Sequence, residues 1–173
     1  MNLQSILAQY VGGAPTTTAN VDSHFDTATR ELPPQVVGQG VAEAFRSDQT
    51  PPFGQMMGDL HSRSNPQQQA GVLNQILGSL GSGASSGVVG GILGRIFGNS
   101  ADANPTPTTL TPEQASQLTP QQVNDIATHA EKQNPGIIDR LGEFYAQHPQ
   151  LVKTLGSAAL AIALAKVANR MRA

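Results

Sequence analysis

Residues 110–125 read LTPEQASQLTPQQVND, and they decide the fold class. The stretch is one pattern written twice: Leu, Thr, Pro, then Glu or Gln, then Gln. Proline suits the first position of a helix, because the N–H it lacks would have no acceptor there. The preceding Thr111 and Thr119 offer a hydroxyl to an orphan amide of the first turn. Gln114 and Gln122, at the third helical position, can reach back to complete a capping box. The same device recurs at Asn65-Pro66-Gln67-Gln68 and Asn134-Pro135, with a weaker version at His148-Pro149-Gln150. Two adjoining copies are too few for a solenoid, so the pair reads as two successive helix starts, the first helix being only a turn or two long.

Outward from this stretch the apolar spacing is helical. Ile137, Ile138, Leu141, Phe144 and Tyr145 form the best stripe; Val123, Ile126, Ala127 and Ala130 form another. Ala70, Leu73, Leu77 and Leu80, widened by Val72 and Ile76, precede the linker, as do Phe53, Met56, Met57 and Leu60, and Val21, Phe25, Ala28 and Leu32. No segment alternates in the manner of a strand between hairpin turns. The expectation is an all-α chain of about seven or eight short helices in two lobes. Residues 1–80 form an N-terminal helical region, 81–99 a Gly-rich apolar segment, 100–110 a Pro/Thr-rich linker and 111–173 a C-terminal helical unit.

Composition narrows the function classes. The 173 residues are 38% apolar and only 4% aromatic, so Leu, Ile, Val and Ala must build most of the core. A net charge of −2 from ten basic and twelve acidic residues gives no field that would steer nucleic acid. Charged residues are just 13%, and such a weakly charged surface repels copies of itself poorly. The absence of cysteine removes disulfides, thiolate catalysis and Cys-ligated metals. No basic residue precedes the apolar positions of the N-terminus, so no secretory leader is expected and the expected location is cytoplasmic, with membrane association as the alternative.

Two segments stand out. Residues 78–98, GSLGSGASSGVVGGILGRIFG, carry glycines in two four-residue series: Gly83, Gly87 and Gly91, and Gly90, Gly94 and Gly98. On a helix, residues four apart share a face, and a glycine face admits another backbone closely. Each interior glycine also costs a helix about 1 kcal/mol relative to Ala, so a tether with a short apolar helix at 88–97 is the competing reading. Near the C-terminus, residues 154–165 are apolar on almost every side and carry a small-residue ridge, Ser157, Ala161 and Ala165. Twelve helical residues span about 18 Å, short of the roughly 30 Å core of a bilayer. Such a helix reads as the buried helix of a bundle, and Lys166, Arg170 and Arg172 after it as cations on the helix C-terminal dipole.

No catalytic constellation is present. His24, His61, His129 and His148 fall in different segments without metal-site spacing. Asp22-Ser23-His24-Phe25-Asp26 sets reactive types side by side, but neighbours in a helix do not face each other, so Ser23 or Asp22 reads as a helix cap. Gly90 to Arg95 lacks the Lys-Ser/Thr ending of a phosphate loop, and no strand precedes it. No cofactor, metal or small-molecule substrate is expected.

The Gly90-Gly-Ile-Leu-Gly-Arg-Ile-Phe-Gly98 segment, followed by Leu110-Thr-Pro-Glu-Gln114, resembles the bacterial YidB-like family over residues 67–126. The resemblance implies a helical bacterial protein and transfers no catalytic residue. The expected function is therefore a non-enzymatic structural or interaction protein that self-associates into a homo-oligomer through Gly- and Ala-faced helices. A peripheral membrane protein anchored by its C-terminal helix is the alternative.

Overall fold

A computed structural model describes residues 2–12, 20–85, 87–97 and 109–173. Among them there is no strand, and the chain is all-α as expected. Six helices precede the linker: α1 (Leu3–Tyr10), α2 (Val21–Glu31), α3 (Pro34–Phe45), α4 (Phe53–Arg63), α5 (Pro66–Leu80) and α6 (Gly87–Phe97). Five follow it: α7 (Pro112–Ser116), α8 (Pro120–Gln133), α9 (Ile137–Gln147), α10 (Pro149–Val152) and α11 (Ser157–Arg172). The described residues exceed the expected count of helices because α10 is a single turn and α3 carries two glycines that blur its stripe.

The helix starts form as their chemistry dictates. Thr111, Thr119 and Asn65 each close a full capping box with Gln114, Gln122 and Gln68. Asn134 acts differently: its Oδ1 accepts from Gly136 N at 3.2 Å and α9 begins at Ile137. His148 lies ahead of Pro149 without a side-chain cap bond. At α2 the expected cap is corrected. Asn20 occupies the cap position without a side-chain bond, and the Ser23 hydroxyl donates back to Asn20 O at 2.9 Å; Ser23 and Asp22 both lie inside the helix.

The chain folds into two units, residues 1–52 with 138–173, and residues 53–137. The division expected at 100–110 is therefore not where the units part, since the linker lies within the span of the second unit. Helices on its two sides pack together there: α5 against α7 and α8, and α6 against α8. Asn74 of α5 fixes the register on the far side of the linker. Its Oδ1 accepts from Leu110 N at 2.6 Å and its Nδ2 donates to Leu110 O at 3.1 Å, as a neighbouring strand would. Leu73, Ile76, Leu77, Ile126 and Ala130 are fully buried around this junction.

The first unit is organised by α11, which packs against α1, α2 and α3. Its apolar run, Ala159 to Ala165, is wholly buried. Leu141 and Tyr145 of α9 are buried in the same unit, and the Tyr145 ring lies 5.8 Å from that of Phe45. Burial holds the Tyr145 phenol protonated far above its ordinary value.

Candidate functional site

The glycines of both units sort into two populations. One marks close helix crossings. A Cβ at Gly38 of α3 would meet the Glu143 backbone of α9 at 2.9 Å, and one at Gly142 would collide with the Gly38 carbonyl. A Cβ at Gly40 would strike Val167 and lie 2.9 Å from Ala163 O on α11. In the second unit Gly54 and Gly58, four apart on α4, face Asn124 and Pro120 O of α8, the latter at 2.6 Å. These glycines let backbones approach as in GxxxG pairs, and their packing is satisfied inside the chain.

The second population is the set expected to form an association face, and the structure divides it. Gly83 belongs to a 3₁₀ turn (Gly81–Ser85), and Gly87 starts α6 at φ +64°. Gly83 thus stands outside α6, whose first residue has a left-handed φ, so it does not share a helical face with Gly87 and Gly91; the series is corrected at that point. Gly98 lies outside the described residues. Gly87, Gly90, Gly91 and Gly94 do share α6. Val89 and Leu93 seat this helix in the second unit, while Gly87, Val88, Gly91 and Arg95 are exposed. A Cβ at Gly91 or Gly94 would meet nothing within 4 Å.

The ridge on α11 has a different fate. Ala161 and Ala165 are buried and Ser157 is half-buried, within a unit that the chain's own α1, α2 and α3 complete. A surface already covered cannot also be an open association face; the ridge is core. No single helix among the described residues is long and apolar enough to cross a membrane.

The titratable groups do not converge. His24 Nδ1 and the Tyr10 hydroxyl share a hydrogen bond of 2.9 Å, and His148 Nδ1 donates to Phe144 O at 2.8 Å. His61, on the last turn of α4, is buried and its Nε2–H donates to Leu118 O at 2.9 Å, tying α4 to the start of α8. Desolvation lowers its pKa below the ordinary imidazole value, against a smaller opposing effect of that hydrogen bond. Gln69 closes the end of α4, donating to His61 O at 2.7 Å and Ser64 O at 3.0 Å. No group of three or more His, Asp or Glu able to hold a metal occurs among the described residues.

No family model matches the chain, and no curated protein or solved structure does either.

Proposed function

We propose that the chain is a non-enzymatic interaction protein that self-associates through the glycine face of α6. The observation carrying this reading is the open space beside Gly91 and Gly94, on a helix whose opposite face, Val89 and Leu93, is anchored in the core. Val88, 53% exposed, adds one of the two large apolar side chains that stand out in solvent among the described residues. Glycine there lowers helix propensity by about 1 kcal/mol per position. A face that only met water would be more stable with Ala; a face that meets another backbone needs the glycines.

That contrast supplies the test. Gly91→Leu and Gly94→Leu have room in the single chain, so both variants keep the helical spectrum and thermal stability of the parent. Light scattering on a sizing column is expected to show an oligomer for the parent and a monomer for the variants. Gly87 is left alone, because its positive φ would strain any side chain. An assembly state unchanged by both substitutions removes the proposal. A monomeric parent that floats with anionic vesicles would favour the membrane-surface reading instead.

A further inference from the structure

A second feature belongs to the first unit alone. Between α1 and α11 runs a groove of about 430 Å³. Its floor is Leu7 and Ala168, both buried, and its sides include Val11 and Met171. Met171 is 53% exposed, the one large apolar side chain so exposed among the described residues of this unit. Polar groups are confined to Gln4 and Arg172. An apolar cleft of roughly 300–1,000 Å³ with a few orienting polar groups is the usual form of a small-molecule site.

The cation selects the ligand. Arg170 is engaged by Glu43 at 3.0 Å, whereas Arg172 makes no ion pair among the described residues. Gln4 can add an amide N–H. We propose that this groove binds a free single-chain anionic amphiphile of the fatty-acid type, its alkyl chain lying along Leu7, Val11 and Met171 and its carboxylate meeting Arg172 and Gln4.

Two other occupants fit less well. A second copy needs about 800 Å² of complementary surface per partner, and Met171 alone is a small apolar contribution to that. A bilayer gains about 1 kcal/mol per basic residue at its surface, and Arg172 is the one cation of this last turn not already offset by an acidic partner. A pliable thioether beside a shallow apolar floor suits a flexible chain better than a flat surface.

The test is calorimetric titration of the full chain with dodecanoate below its micellar concentration. Saturable binding of one molecule per chain is expected, with none for butyrate, which has the head but not the tail, and weaker binding of dodecyltrimethylammonium. Arg172→Gln should weaken dodecanoate by about five- to tenfold, the worth of one partly exposed charge-assisted hydrogen bond. Ala8→Trp, at an exposed groove position, should block the site. Both variants should retain the parent's circular dichroism and melting temperature. Unsaturable uptake of many molecules, or equal affinity in parent and both folded variants, overturns the proposal. So does co-sedimentation with phosphatidylglycerol vesicles in a chain that ignores free dodecanoate, since the bilayer would then be the occupant.

Discussion

A single methyl group added at Gly142 would lie against the Gly38 carbonyl and 3.0 Å from Ala42 Cβ, atoms that no rotamer change can move. Ala improves helix propensity by about 1 kcal/mol, but overpacking a rigid crossing costs about 1–3 kcal/mol. Gly142→Ala is therefore expected to lower the denaturant midpoint, with a net loss of up to about 2 kcal/mol; a raised midpoint would show the crossing to be slack. Sequence alone singles out the glycines of 83–98 because they are dense and flanked by Val and Ile. The structurally committed ones, Gly38, Gly40, Gly54, Gly58 and Gly142, are scattered, and only Gly54 and Gly58 carry a legible four-residue spacing. Which backbone a lone glycine admits is settled by tertiary packing, and no local pattern encodes it. His61 is a second residue whose role comes from burial. Its folded-state pKa lies below the unfolded value of about 6.5, so the unfolded chain takes up the proton first. Stability is then full above pH 6.5 and falls as pH drops through that value toward the folded pKa. Melting temperatures at pH 7.5 and 5.5 should differ more for the parent than for His61→Gln, whose amide can still donate to Leu118 O. An equal pH response in the two chains would mean that the buried imidazole is not linked to folding.

Elements were the most legible level, for a local reason: a cap is decided within four residues. Thr111 and Thr119 close their capping boxes with Gln114 and Gln122, and Asn65 does so with Gln68, each as its tetrapeptide implies. Of these, Thr119 starts a fourteen-residue helix that packs on α4, α5 and α6, so its loss is felt across the second unit. Thr119→Ala should cost about 1 kcal/mol, read as a lower midpoint in urea, while Thr119→Ser should restore most of it. No loss with Ala would mean that tertiary contacts alone hold the start of α8. The element least legible in sequence is α3. Val37, Val41 and Ala44 are buried along it, but Gly38 and Gly40 interrupt the apolar count and lower its propensity by about 2 kcal/mol. Its helix is sustained by what those glycines permit, the close approach of α9 and α11. The surface ion pairs contribute far less. Arg46 holds Asp139 with two bonds of 2.7 and 2.9 Å, which depresses the carboxyl pKa, but both side chains are largely exposed and screened by solvent.

At the scale of the whole molecule the chain order and the folding units disagree, and this separates what each part does. Residues 53–137 are contiguous and enclose the linker, whereas the first unit is assembled from both ends of the chain. A break in composition such as the Pro/Thr-rich stretch does not mark which helices bury one another: Asn74, on one side of it, bonds Leu110 on the other. The contiguous unit has its own buried core, from Met57 and Leu73 to Ile126, and the capping boxes that start α5, α7 and α8. Expressed alone, residues 53–137 should be helical and unfold cooperatively. The fragment should also keep the pH response of His61, whose partner Leu118 O lies within it. An unfolded fragment would mean that this unit depends on the rest of the chain. A folded fragment allows a sharper decision, because it contains α6 but neither α11 nor the α1–α11 groove. If α6 carries association, the fragment should assemble like the parent, fall to monomer with Gly91→Leu, and show no affinity for dodecanoate. A folded, monomeric fragment beside an oligomeric parent would move the association surface to the first unit, where the half-exposed Met171 and the rim of the groove offer the remaining apolar surface.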